Sequence, residues 1–370
     1  MESTTPTPSL PDYSGACISN IVPALLEHPD AGRSWIPGAA LDADQIVLLL
    51  LDGLGFDQLV ERRALAPTMS GLDGESISTV APSTTASALT SLVTGSAPSQ
   101  HGVIGYRVRT GGETLNVLRW STASGDARTR IPPRDFQLLP SFADRRPPVI
   151  TKAEFANSGF TLAHLSGTRL VGYRVTSSLV TEVRRELDAG EPFIYAYYDG
   201  IDKVAHEYGL GDHYEAELRA VDRLVGDVLE VLPPGAALVV TADHGHVHIG
   251  DRLVEPHADV LEHTAAQSGE ARFRWLHASA GAGAALVEAA TEHHRDVAWV
   301  ISIEQALDER LFGPAPDHAI LDRYGDVALV PFEPIAFVES GDTGPLNLIG
   351  RHGSLTSAEM RVPLLVGSAN

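Results

Sequence analysis

The chain has 370 residues, is 44% hydrophobic and carries a formal net charge of −21, from 48 acidic and 27 basic side chains. Such a length exceeds what one core usually fills, so two domains, or one domain with an insertion, are expected. The acidic balance excludes tracking of a nucleic-acid backbone, which draws on clustered cations. Apolar runs fall well short of the roughly 20 residues that cross a bilayer. Met1–Thr5 lacks a basic start and an apolar signal core, which predicts a soluble, cytoplasmic protein with no membrane partner. Cys17, the single cysteine, rules out an internal disulfide framework and thiolate-rich metal sites. Histidine and carboxylate remain as metal ligands, and Cys17 itself reads as a packing residue.

In chain order, the Ser/Thr/Pro-rich first dozen residues read as a loosely ordered tail. Ile46–Leu51 is a β-rich apolar run that ends in Asp52. Val80–Gly95 reads as a loop entering a helix with hydroxyls at its start. Those hydroxyls either cap backbone amides or include a nucleophile, activated by a base or metal while the helix terminus receives a phosphoryl oxygen. Ser121–Pro148, with paired prolines at 132–133 and 147–148, reads as an excursion above a sheet. Phe193–Tyr198 ends in Asp199, and Asp202 and His206 follow at a spacing that places both on one face of a helical turn. That spacing suits chelation of one ion, or a plain surface pair. Asp199 lacks a matching histidine and is read as a turn or supporting residue.

Tyr214–Glu230 has helical apolar spacing. Ala237–Ala242 is a buried-strand run that delivers Asp243 and His244, an adjacent pair of oxygen and nitrogen donors suited to a divalent metal. Three strands thus bring acid to one sheet edge, where open α/β sheets bind ligands. A longer excursion covers 247–351; His352 follows between glycine-containing turns, and Arg361–Gly367 supplies one more strand-type run. The alternation predicts an α/β fold with a mostly parallel central sheet and helices on both faces. Residues 1–246 and 352–370 form its core, with the excursion at about 121–148, and 247–351 form an inserted cap that is partly core.

The ordered set Leu51-Asp52-Gly53-Leu54-Gly55, Pro82-Ser83-Thr84-Thr85 with Leu92–Gly95, His101–Gly105, Asp202-x-x-x-His206, Thr241–Gly245 and His352–Leu355 with Val362–Val366 resembles the alkaline phosphatase superfamily. It is most similar to the branch of nucleotide pyrophosphatase/phosphodiesterases and related phosphonate hydrolases. The resemblance implies an alkaline phosphatase-like fold and two Zn2+ ions, one held by Asp202, His206 and His352, the other by Asp52, Asp243 and His244. It also implies Thr85, by its distance from Leu92–Gly95, as the metal-bridged nucleophile. Catalysis then runs in two in-line steps through a phosphothreonine that hydroxide cleaves, on a small phosphorylated substrate of nucleotide type. Two dications would also offset the carboxylate-rich field.

The family pattern has an asparagine three residues after the nucleophile, where this chain has Ala88. A phosphomonoesterase or phosphonate hydrolase is therefore the nearest alternative to a phosphodiesterase, with a phosphomutase further off. Phe56, Tyr106, Trp120 and Tyr173 are assigned to the core before base stacking. His246 and His248 are read as supporting or exposed residues, and His213, His257, His263, His277, His293 and His294 as solvated. Lys203 is read as an exposed helix-start residue.

Overall fold

The computed structural model describes residues 5–27, 34–339, 342 and 348–369. Its strands, in chain order, are β1 (Gln45–Leu51), β2 (Asp73–Ser78), β3 (Pro148–Lys152), β4 (Arg169–Tyr173), β5 (Phe193–Tyr198) and β6 (Ala236–Thr241). Then come β7 (Thr264–Glu270), β8 (Phe273–Ala278), β9 (Ala298–Ser302), β10 (Val327–Pro331) and β11 (Arg361–Ser368). The central sheet has the order β2-β11-β6-β1-β5-β3-β4. β1 pairs in parallel with both β5 and β6, whereas β11 runs antiparallel to its two neighbours. Val47 to Leu51 are wholly buried, as expected of a central parallel strand whose two faces are both covered. Helices α1 (Thr85–Thr94), α2 (Thr176–Asp188), α3 (Gly200–Tyr208) and α4 (Asp212–Glu230) accompany this sheet.

Register decides where the chemistry emerges. Leu50 aligns with Thr241 and Leu51 with Tyr198, so the chain leaves β1, β5 and β6 at nearly one height. Asp52, Asp199 and Asp243 therefore stand together. The Asp52 amide donates to Tyr198 O at 2.9 Å and the Asp202 amide to Asp52 O at 3.0 Å, which ties the end of β1 to the start of α3. Gly53 has φ +79°, and a Cβ there would lie 2.9 Å from the Asp202 Cα. Only glycine admits this crossing of two backbones.

Residues 264–331 contain a second, antiparallel sheet in the order β7-β8-β10-β9. Strand alternation splits its faces: Phe273 and Trp275 join the main core, while Leu276 joins a separate cluster with Leu286, Val327 and Leu329. A buried ion pair fastens this unit to the central sheet. Arg272 places Nε and Nη2 each 2.8 Å from a Glu359 oxygen and donates its remaining N–H groups to carbonyls of Pro331, Glu333 and Ile335. Both side chains are fully buried.

The excursion read as beginning at Ser121 starts earlier, because a small antiparallel sheet runs from Arg107 to Asp126. The expected loose tail is also corrected for its described part. Its backbone is held by neighbours, with the Ser9 amide donating to Leu355 O and the Trp299 indole to Pro6 O, each at 2.8 Å; residues 1–4 lie outside the described residues. Cys17 is buried packing. No described helix is long and apolar enough to cross a membrane.

Replacing Glu359 with Ala strands the Arg272 guanidinium in the core and should cost about 3–5 kcal/mol. Denaturant unfolding should report this loss; an unchanged midpoint would contradict the role given to the pair.

Candidate active site

The strand ends, α1, α3 and the loop around His352 converge on two groups of ligand-type atoms. Asp52, Asp243 and His244 form one, Asp202, His206 and His352 the other, and within each group the potential donor atoms lie within 4.8 Å of one another. All six residues singled out in the sequence are thus brought together. In the first group, His244 Nε2 is 3.5 Å from Asp52 Oδ1 and 3.4 Å from Asp243 Oδ2. Asp243 Oδ1 accepts from the amides of Gly53 and His244, both at 3.0 Å, and Asp52 Oδ2 accepts from the Tyr197 hydroxyl. The other two oxygens, Asp52 Oδ1 and Asp243 Oδ2, are buried with no partner. Buried anionic oxygens without donors are costly unless a cation meets them.

In the second group Asp202 Oδ1 is the hub, 3.2 Å from His206 Nε2 and 3.8 Å from His352 Nε2. The imidazoles share a hydrogen-bond pattern. Nδ1 of His206, His244 and His352 meets the carbonyl of Gly350, Gly245 and Ser83 at 2.7, 3.1 and 3.0 Å. A carbonyl only accepts, so each Nδ1 carries a proton and each Nε2 is turned to the site, the orientation of metal-ligating histidines. The residues therefore fit a pair of cations.

The electrostatics agree with that fit. Burial, with the charges of Asp243 and Asp202 added, pushes the Asp52 carboxyl well up, and burial also raises Asp243. Burial opposes charge on Asp202 too, but His206 and His246 hold its carboxyl well below the usual range. Burial together with three neighbouring imidazoles lowers His352, favouring its neutral, ligand-competent form.

Thr85 opens α1 and is 8% exposed. Its hydroxyl lies 3.1 Å from His244 Nε2. The competing capping role fails at this helix, where the N-cap Thr84 makes no side-chain cap bond. Ser83 instead works across the site. It donates through Oγ to Ser354 O at 2.6 Å and accepts from the Gly353 amide at 3.2 Å, anchoring the loop that carries His352.

Other assignments divide. His246 is fully buried, with Nε2 3.0 Å from Asp202 Oδ1, and forms an overlapping set of ligand-type atoms with Asp202 and His244. His248 is exposed. His277 and His294, read as solvated, are buried: His277 contacts Ser268 Oγ at 2.8 Å and His294 Nε2 accepts from the His257 amide at 3.1 Å. Asp199 is buried and pairs with Lys152 and Lys203 at 2.6 and 2.8 Å, and Lys203 is half-exposed. Trp120 and Tyr173 are core, while Tyr106 lines a cavity beside Thr85.

Tyr197 and Glu270 were missed by sequence reasoning. Tyr197 stands two residues before Asp199, and strand alternation was the available signal. Nothing in the local sequence marks Glu270. It comes from the tip of the β7–β8 hairpin, and burial pushes its carboxyl up to about 8.

Two cavities flank Thr85 and Asp202. One, about 230 Å³, is lined by Leu89, Leu118, Phe155, Phe160 and Tyr195, with Lys203 at its edge. The other, about 270 Å³, lies beside His206 and His352 and is lined by Tyr106, Arg107, Glu270 and Arg351.

The sequence matches the family of type I phosphodiesterase / nucleotide pyrophosphatase over residues 46–177 and 174–355. No curated protein matches it. Among solved structures, murine ectonucleotide pyrophosphatase / phosphodiesterase 5 superposes with a TM-score of 0.67 at 17% identity, covering 88% of each chain. Its human counterpart gives 0.63 at 16% identity, again with 88% of each chain covered. Phosphonoacetate hydrolase from Sinorhizobium meliloti 1021, in complex with phosphonoformate, gives 0.64 at 18% identity, over 89% of this chain and 91% of that one. These likenesses establish the shared α/β fold with its mostly parallel central sheet. Matched over most of its length, the chain belongs to the type I phosphodiesterase / nucleotide pyrophosphatase family of the alkaline phosphatase superfamily and is a hydrolase of phosphoric ester bonds.

Proposed function

We propose that the protein is a two-zinc phosphodiesterase or nucleotide pyrophosphatase acting on small, nucleotide-type substrates through a phosphothreonine at Thr85. The observation that carries this reading is the Thr85 hydroxyl, 3.1 Å from His244 Nε2 at a helix N-terminus, beside both ligand groups. Asp202, His206 and His352 would hold one cation, and Asp52, Asp243 and His244 the other. Bound there, the cations supply positive charge for the phosphoryl oxygens and lower the pKa of the attacking hydroxyl.

The chain's own residues do the rest. The α1 terminus points backbone N–H groups at the phosphoryl group. Thr85 Oγ gives up its proton to solvent and forms a bond to phosphorus as the bond to the leaving oxygen breaks, and the released alkoxide is protonated by solvent. Water then attacks the phosphothreonine, restoring the hydroxyl and releasing the phosphorylated product. Two inversions leave configuration at phosphorus retained. Phe155, Phe160 and Tyr195 in the apolar cavity suit a nucleobase or other flat apolar group. Because position 88 is alanine, a phosphomonoesterase or phosphonate hydrolase is the second reading.

Three outcomes are expected. Thymidine 5′-monophosphate p-nitrophenyl ester should exceed p-nitrophenyl phosphate in kcat/KM by about a hundredfold, roughly 2.7 kcal/mol in transition-state binding; a reversed preference moves the assignment to a monoesterase. Thr85→Ala should abolish turnover while metal analysis still finds zinc bound, and undiminished activity would sink the nucleophile assignment. Asp243→Asn should raise the melting temperature in chelator by roughly 2 °C or more, since it relieves about 1 kcal/mol of repulsion with Asp52; a lower value would contradict the frustrated charge inferred here.

A further inference from the structure

The two cavities beside Thr85 are not equivalent, because the nucleophile sits at one ligand group. Thr85 Oγ1 lies against His244. In-line displacement puts attacking and leaving oxygens on opposite sides of phosphorus. The leaving group therefore departs toward Asp202, His206 and His352, and into the cavity beside them.

That cavity contains an anomaly. Glu270 is 8% exposed and its Oε1 has no partner. It shares the cavity wall with Thr84, the residue before the nucleophile. Gly353, next to His352, makes room for it: φ there is +128°, and a Cβ would lie 2.8 Å from the Glu270 Cγ. An unsatisfied buried polar atom costs about 1–3 kcal/mol. Such a group at the wall of a reaction cavity is explained when a ligand supplies the missing donor.

The neighbours narrow the donor's identity. Arg107 and Arg351 also line the cavity, and Arg107 is paired with Glu339 and Asp342. Asp202 and Asp342 line it as well, so a ligand there meets both carboxyls and guanidiniums. Hydroxyls satisfy both kinds of wall, donating to a carboxyl and accepting from a guanidinium.

We propose that Glu270 is a specificity-determining residue that accepts a hydrogen bond from a hydroxyl of the leaving alcohol, so that preferred substrates are phosphodiesters with a polyol or sugar leaving group. This rests on the reading of Thr85 as nucleophile at the His244 side of the site. It also gives the cap hairpin a task, since β7 and β8 carry Glu270 to the cavity wall beside His352.

The test uses the zinc-loaded full-length protein, with bis(glyceryl) phosphate as the hydroxyl-bearing diester and bis(p-nitrophenyl) phosphate as the one without hydroxyls. Glu270→Ala should lower kcat/KM for the glyceryl diester about tenfold more than for the nitrophenyl diester, the worth of one hydrogen bond. Glu270→Gln, which keeps a carbonyl acceptor, should fall between the wild type and Glu270→Ala. A purely structural role would move both substrates alike, and equal factors for the two would overturn the proposal. If the wild type turns over neither diester, calorimetric titration with bis(glyceryl) phosphate decides. Binding weakened about tenfold in Glu270→Ala upholds the assignment; equal or absent binding removes it. Failure of the underlying reading is seen separately, as turnover that survives in Thr85→Ala.

Discussion

Like charge held out of water is the constraint on which the rest of this structure depends. Asp52, Asp202 and Asp243 are brought within one another's fields at the carboxyl edge of the sheet, and burial and mutual repulsion raise the carboxyls of Asp52 and Asp243. A protein keeps such an arrangement only when something else repays it. In the function proposed above the repayment is positive charge from cations, which the His/Asp clusters are able to hold. Level strand ends set the height of the acids. Three Nδ1–H···O=C bonds turn Nε2 atoms inward, and Ser83 locks the loop that brings His352 from more than a hundred residues away in sequence. On that proposal a net charge of −21 is no paradox for an enzyme that handles phosphate, because the attraction would be local and metal-borne.

The parts of this design that were legible in sequence are those in which local pattern and chemistry coincide. Ile46–Leu51, Phe193–Tyr198 and Ala237–Ala242 announce buried parallel strands by unbroken apolar character, and the acid after each marks the edge. That Asp202 and His206 share one face follows from helical spacing, while their role as ligands came from the resemblance. His352 was visible only through resemblance, since nothing local separates it from a turn histidine, and its partner Ser83 was masked among four neighbouring hydroxyl candidates. His277 and His294 show the opposite failure. Polar neighbours in sequence suggested solvent, yet Ser268 and the His257 amide satisfy their ring nitrogens in a packed interior, which is how a polar residue enters a core.

Residues 247–351 were the least readable, for a physical reason. Their sheet divides its loyalties, with Trp275 packed on the main core and Leu276 on a small core of its own. A period-two pattern with both faces apolar carries no record of which face meets which partner. The Arg272–Glu359 pair, which joins this unit to the turn of helix just before β11, spans a separation no periodicity encodes. Glu270 arrives by the same route, from a hairpin whose placement is wholly tertiary.

The central claim, that the frustrated carboxylates form two cation sites around Thr85, is tested most directly by anomalous diffraction at the zinc edge from crystals of the zinc-loaded protein. The account predicts two peaks, one among Asp202, His206 and His352 and one among Asp52, Asp243 and His244, with Thr85 beside the second. A single peak, or zinc elsewhere with these side chains bonded to one another, would contradict it.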